Sequence, residues 1–288
     1  MKLGQVLTNI ARLFKQSKIK DPADEATCLL CHLLKCDKAK LYSQPEQRFT
    51  RDELIELEAM VRRRLQGEPA AYIVNQKEFY GISLYVDPRV LIPRPETEIL
   101  VEETIKLAQQ QLRVMTDLSE KISIADVGTG SGAIAIAIAK GLPQPIIYGI
   151  DVSAEAMKVA ALNIERHNLN ERIVLMHGNL LTPVTAPLDI VVANLPYIKT
   201  AEIPSLSHES SMYEPHIALD GGLQGISVIG ELLRQAKQKI KPGGAILLEI
   251  GQGQGRSVLP LIKDIFPQAI VTIIEDLGGI DRVIKANL

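Results

Sequence analysis

No run of 18 or more apolar residues occurs in the chain, which argues against a membrane-crossing helix. The N-terminus, MKLGQVLTNIARLFKQ, alternates polar and apolar residues at helical spacing and lacks the continuous apolar centre of a signal peptide. A cytoplasmic protein is expected. Cysteine is scarce: Cys28, Cys31 and Cys36 are three in number and close together, which excludes the fully paired framework of a small secreted domain and predicts free thiols. Charge of one sign is missing as well. Residues 1 to 90 carry 15 Lys/Arg against 12 Asp/Glu and the remainder 17 against 22, or +3 and -5. Neither part has the broad basic field that sequence-independent nucleic-acid binding needs, and no direct nucleic-acid contact is expected. The run Arg62-Arg63-Arg64 reads as a solvated helix face. Metal chemistry is not signalled either. Cys28-Leu29-Leu30-Cys31-His32 has the spelling of a haem attachment site, but on an amphipathic helix these are expected as small core residues. His167, His177, His208 and His216 have no mutual spacing of ligands.

What is present is an ordinary globular composition, 46% apolar and 23% charged over 288 residues, long enough for two cores. Residues 1 to 75 read as a small helical domain, from apolar steps such as Val6-Ile10-Phe14 and Leu54-Leu57-Met60-Val61-Leu65. Asp21-Pro22 starts its second helix, and Gly67-Glu68-Pro69 breaks the basic one. Residues 76 to 95 read as a β-hairpin linker built from FYGISLYV and RVLI on either side of Asp87-Pro88. Residues 96 to 288 then alternate apolar strand runs with helices, which implies a parallel α/β sheet covered on both faces. About six residues separate the last two strands, AIVTIIED and RVIKANL. That is too few for a helical crossover, so those strands are antiparallel.

Asp126-Val127-Gly128-Thr129-Gly130-Ser131-Gly132 lies where a strand meets a helix, and open α/β sheets bind ligands there. With Ala133 the spelling also satisfies a dinucleotide motif. The acid before the glycines disfavours a pyrophosphate and favours a ligand with cationic groups. Asp151, 21 residues beyond Gly130, is placed to accept ribose hydroxyls. Asn179 falls where an adenine amino group would be read, with Val152 or Leu180 as apolar cover; its other reading is a turn residue.

Asn194-Leu195-Pro196-Tyr197 ends the strand run IVVANLP beside that loop. An Asn side chain offers an acceptor and a donor, so it can hold a planar NH2 group. Pro196 stiffens the backbone, and Tyr197 offers a flat ring for stacking on an amide or a base. A carbonyl from Leu195 or Pro196 can accept a second N–H.

On these residues the chain resembles the protein-(glutamine-N5) methyltransferases of peptide-chain release factors, the HemK/PrmC family. Three blocks carry the resemblance: residues 67 to 79 with Leu91-Ile92-Pro93-Arg94-Pro95-Glu96-Thr97-Glu98; residues 126 to 132; and residues 194 to 197 with Tyr213-Glu214-Pro215, Ala218-Leu219 and Gly221-Gly222. The resemblance implies a class I methyltransferase domain, Rossmann-like with a mostly parallel sheet and an antiparallel last strand. It implies S-adenosyl-L-methionine held by Asp126, Val127, Gly128, Thr129, Gly130, Asp151, Val152, Asn179, Leu180 and Asn194. Asn194, Pro196 and Tyr197 would be catalytic, and Leu195, Arg94 and Glu96 would join them in binding substrate. The helical domain would recognise the release factor, whose Gly-Gly-Gln glutamine is the acceptor. The family usually has Pro at the position of Leu195 and commonly Asp at that of Asn179. Asn-Leu-Pro-Tyr is itself typical of rRNA adenine dimethyltransferases, which are the competing reading. In those enzymes the helical domain follows the catalytic one and Glu precedes the glycines, whereas here the helical domain comes first and Asp126 precedes them.

Overall fold

In the computed structural model, which describes residues 1–114 and 121–288, the apolar stripe of the first helix, Leu3–Gln16, buries Leu3, Val6, Ile10 and Phe14. Pro22 opens the next helix, Pro22–Leu34, where its missing N–H breaks no helical hydrogen bond. Thr50 and Glu53 cap Arg51–Leu65 reciprocally: the Thr50 hydroxyl accepts from the Glu53 amide at 3.2 Å, and the Glu53 carboxylate from the Thr50 amide at 2.7 Å. With the shorter Lys38–Ser43 and Ala70–Ile73, these helices pack around a cluster that includes Phe14, Leu29, Leu30, Leu57 and Met60. Cys28, Cys31 and Cys36 lie at its margin and form no disulfide.

The chain divides into two units, Met1–Gln76 with Ser207–Tyr213, and Lys77–Leu206 with Glu214–Leu288. Chain order alone would leave Ser207–Tyr213 in the second. Arg64 is what ties it into the first: its guanidinium binds Glu25 and Glu209 at 2.5 Å each while the side chain is 2% exposed. The Tyr213 hydroxyl adds a bond to the Gln66 carbonyl at 3.3 Å. The basic run is therefore not simply a solvated face. Arg62 and Arg63 pair with Glu58 and Glu68 on the surface, but Arg64 is an interior tie whose partner lies 145 positions away.

The second unit opens with a hairpin of β1 (Lys77–Phe79) and β2 (Ile82–Leu84), paired antiparallel. Its turn is Tyr80-Gly81, with φ of +51° and +68°, the two-residue geometry that follows strand twist. The expected hairpin across Asp87-Pro88 is corrected by this: the turn lies within the first apolar run, and residues 89 to 92 form no strand. The reason is local. The Asp87 carboxylate closes its own turn, accepting from the Arg89 amide at 3.0 Å and from the guanidinium at 2.6 Å. The Ile92 amide is taken by the Glu214 carboxylate at 3.2 Å.

After the helix Thr97–Val114 come β3 (Ser123–Val127), β4 (Ile146–Asp151), β5 (Ile173–His177), β6 (Leu188–Ala193), β7 (Ile240–Glu249), β8 (Ile270–Glu275) and β9 (Asp281–Asn287). They form one sheet in the order β5-β4-β3-β6-β7-β9-β8. The first five are parallel, and β9 runs antiparallel to both its neighbours. The helix after β3, Ala133–Gly141, is apolar on all sides, and residues 133 to 139 are buried. From β3 the chain winds outward to β5, then returns to the other side of β3 as β6. That reversal opens a crevice between the carboxyl ends of β3 and β6. Val127 and Ala193 pair in register there, so the loops that follow them are neighbours. Among the described residues no helix is long and apolar enough to cross a membrane.

Candidate active site

The turn out of β3 is folded back on β4. The Gly128 and Thr129 amides both donate to the Ile150 carbonyl, at 2.8 and 2.9 Å, and the Gly132 amide donates to the Thr129 carbonyl at 2.8 Å. The Gly130 amide donates to Asp151 Oδ2 at 2.9 Å. Gly128 has φ of +78°, and a Cβ there would come 3.1 Å from Leu195, so both backbone conformation and close approach call for glycine. A pyrophosphate is gripped by free loop amides. Here those four amides are spent internally and a carboxylate stands beside them, which suits a ligand bringing hydroxyls and positive charge.

Asp151 also accepts from the Ser153 amide at 2.9 Å, and burial raises its pKa against these amide bonds. Asp126 is fully buried. Its Oδ2 accepts from the Thr129 hydroxyl at 2.6 Å and the Ala135 amide at 3.1 Å, and its Oδ1 has no partner among the described residues. Burial pushes the Asp126 pKa up to about 7.

A cavity of about 520 Å³, within the range of small-molecule sites, lies at the crevice. Of the sequence-selected residues, Val127, Gly128, Gly130, Asp151 and Val152 border it from the β3 and β4 side. Asn179 and Leu180 border it after β5, and Asn194, Leu195 and Pro196 after β6. Asp126 and Thr129 do not: they brace the glycine loop from behind, against the helix Ala133–Gly141.

Asn194 Nδ2 donates to the Thr97 hydroxyl at 3.0 Å, and Oδ1 has no hydrogen bond among the described residues. The Leu195 and Pro196 carbonyls accept no hydrogen bond among the described residues. The Tyr197 carbonyl accepts from Gln254 Nε2 at 2.8 Å, and its hydroxyl donates to Glu249 Oε1 at 3.4 Å. Burial, then the Glu249 charge, push the Tyr197 phenol up to about 12, so it stays neutral. A glycine loop packs on this backbone: a Cβ at Gly221 would lie 2.7 Å from the Pro196 oxygen, and one at Gly225 2.4 Å from the Tyr197 oxygen. Tyr197, Arg94 and Glu96 do not border the cavity. Arg94 binds the buried Glu214 carboxylate at 2.5 Å, which fixes the start of residues 215 to 218, a stretch that does border it. Glu96 lies within electrostatic reach of Glu249 and Arg282.

Sequence reasoning gave no role to Glu249 or Gln254, and named Thr97 and Glu214 within the blocks that carry the family resemblance. The Thr97 hydroxyl accepts from Asn194 Nδ2, and the Glu98 carboxylate accepts from the Tyr80 amide at 2.8 Å. One signal was available for Glu249: an acid closing an otherwise apolar strand, AILLEI.

The PrmC N-terminal domain family matches residues 5–74, and the ribosomal protein L11 methyltransferase (PrmA) family matches residues 102–201. A release factor glutamine methyltransferase of Koribacter versatilis (strain Ellin345) is 35% identical over 286 residues, covering 99% of this chain and 98% of that protein. One of Thermodesulfovibrio yellowstonii (strain ATCC 51303 / DSM 11347 / YP87) is 36% identical over 262 residues, 90% of each chain. Among solved structures, the hMettl16 catalytic domain in complex with MAT2A 3'UTR hairpin 6 has a TM-score of 0.56 at 15% identity, covering 83% of this chain and 82% of that one. A methyltransferase from Pyrococcus furiosus has a TM-score of 0.50 at 20% identity, covering 78% and 96%. At such identities the likeness is one of fold, that of a class I methyltransferase.

Proposed function

This chain belongs to the release factor glutamine methyltransferase family, and on that premise we propose that it transfers a methyl group from S-adenosylmethionine to a glutamine side-chain nitrogen of peptide-chain release factors. The glutamine is that of the Gly-Gly-Gln motif, the setting is the cytoplasm, and the modification supports translation termination. The helical unit recognises the release factor.

The donor set fits the cofactor: four of the glycine-loop amides are internally spent, and Asp151 borders the cavity. Asp151 takes the ribose hydroxyls, Val152 and Leu180 cover the adenine, and Asn179 reads its amino group. When bound, S-adenosylmethionine supplies an electrophilic methyl group.

One observation carries the acceptor assignment: beside the cavity, Asn194 has its donor end occupied, while among the described residues its Oδ1 and the two backbone carbonyls that follow have no hydrogen-bond partner. An amide nitrogen is a poor nucleophile because its lone pair is shared with the carbonyl. Asn194 Oδ1 and the Leu195 or Pro196 carbonyl accept its two N–H bonds, which localises the lone pair and aims it. Such alignment supplies ~7 to 11 kcal/mol of barrier reduction in favourable cases. The amide proton leaves after transfer, when the nitrogen is far more acidic. An rRNA adenine acceptor is not favoured, because the relatives that match nearly the whole chain are release factor enzymes.

Incubation with radiolabelled cofactor, a release factor and rRNA separates the two acceptors. Label in the Gly-Gly-Gln peptide is the expected result; labelled rRNA beside an unlabelled release factor overturns the assignment.

A further inference from the structure

Glu249 is a buried acid, 2% exposed, that the catalytic reading leaves without a task. It closes β7, and the register of β6 with β7, Ala193 opposite Leu248, puts Asn194 and Glu249 side by side at the two carboxyl ends. Thr97, 4% exposed at the start of its helix, interacts with both. The Thr97 hydroxyl receives the Asn194 Nδ2–H at 3.0 Å. Glu249 Oε1 accepts from the Tyr197 hydroxyl, while Oε2 has no hydrogen bond of its own among the described residues. Burial raises the Glu249 pKa, and the Thr97 and Tyr197 hydroxyls draw it back.

A buried carboxylate oxygen without a donor is costly, about 1–3 kcal/mol or more for a charged group, and the Thr97 hydroxyl is among the groups that act on the Glu249 carboxyl. We propose that Thr97 and Glu249 are a positioning pair that fixes which end of the Asn194 amide faces the acceptor. The inference rests on the role given to Asn194 above. A carboxylate only accepts, and a hydroxyl has one proton to give. With that proton directed at Glu249, Thr97 can only accept from Asn194. Nδ2 is then held inward and Oδ1 is turned outward, the end that an acceptor N–H requires. Without the hydroxyl the two ends of the amide differ little in energy, because O and N of an Asn are interchangeable in shape. A flipped Asn194 would present N–H to N–H.

Neither Thr97 nor Glu249 borders the cavity, so the pair acts on turnover and not on ligand affinity. Thr97→Val keeps the shape and removes the hydroxyl; Thr97→Ser keeps the hydroxyl. Glu249→Gln keeps the volume and adds a donor: its NH2 end reverses the hydroxyl, whose proton then turns to Asn194. The test is kcat and KM for methylation of a purified release factor by each folded variant, with cofactor affinity by calorimetry and Asn194→Ala in parallel. Thr97→Val and Glu249→Gln are expected to lose about tenfold in kcat, less than the ~100-fold or more of removing a group that holds reacting atoms. KM and cofactor affinity stay within about twofold, and Thr97→Ser restores kcat to within about threefold. Wild-type kcat in Thr97→Val, or in Glu249→Gln if the first variant does not fold, overturns the pair while an inactive Asn194→Ala leaves the role of Asn194 standing. Thr97→Ser as impaired as Thr97→Val, or a collapse of cofactor affinity, also overturns it. An active Asn194→Ala sinks the underlying reading itself.

Discussion

Replacing Asp126 by Asn removes a charge that the fold holds at a cost, and the size and sign of that cost follow from its surroundings. The side chain is fully buried behind the glycine loop, with two hydrogen bonds to Oδ2 and none to Oδ1 among the described residues. Burial outweighs those bonds and pushes the pKa from 3.8 up to about 7. Between these two values the folded chain keeps a proton that the unfolded chain has released. Stability therefore falls as pH rises across that window, and the loss is complete above about pH 7. About three pH units at ~1.4 kcal/mol each make about 4 kcal/mol. Asn has no proton to release, so the variant lacks this slope. Urea denaturation of both proteins between about pH 4 and about pH 8 reads the effect as a gap that opens with pH. Comparing the gap at the two ends cancels the fixed effect of exchanging an oxygen for an NH2 group. The variant should gain up to about 4 kcal/mol relative to wild type over the range. A gap that stays constant, or that closes as pH rises, refutes the reasoning.

Asp151→Ala removes a carboxylate that borders the cavity and organises the Gly130 and Ser153 amides. Calorimetry should show cofactor affinity lowered by ~10- to 100-fold, the worth of charge-assisted hydrogen bonds; unchanged affinity would remove Asp151 from the cofactor site. Gly225→Ala places a methyl group 2.4 Å from the Tyr197 oxygen at a φ of +71°. The displaced tetrapeptide should lower the methylation rate by ~100-fold while cofactor affinity holds, and a wild-type rate would show that the tetrapeptide does not depend on this loop. Arg64→Ala leaves Glu25 and Glu209 without their shared partner. The helical unit should lose roughly 2 kcal/mol or more in thermal or urea unfolding, below the ~3–5 of a fully buried pair because both carboxylates keep some water. A loss within ~0.5 kcal/mol would make the tie incidental.

The sheet was legible because its signals are local or topological. Apolar strand runs alternating with helical periodicity imply parallel pairing, and a short final connection forces β8 and β9 to be antiparallel. The hairpin was misplaced because RVLI has strand composition while its Ile92 amide belongs to Glu214, 122 positions on. No local pattern carries that information. The same holds for Arg64, whose neighbours in sequence are surface arginines and whose partner Glu209 comes from a distant segment. At the site, the loops were found because each residue type there has a distinctive use: glycine for a positive φ, Asp at a strand end, Asn and Pro beside it. Asp126 and Thr129 carried the same motif, yet they brace the loop from behind, since spacing says that residues are near a crevice but not which way they face. Glu249 and Gln254 drew no role from the sequence because their work is done on other protein groups, the hydroxyl and the carbonyl of Tyr197, and the acid closing AILLEI does not say which groups it meets.

Tandem mass spectrometry of a release factor, incubated with the chain and S-adenosylmethionine, reads acceptor residue, acceptor atom and methyl count together. One methyl group on the side-chain nitrogen of the Gly-Gly-Gln glutamine, absent with Asn194→Ala, is the result predicted. An unmodified release factor, or a methyl group on any other residue, would contradict it.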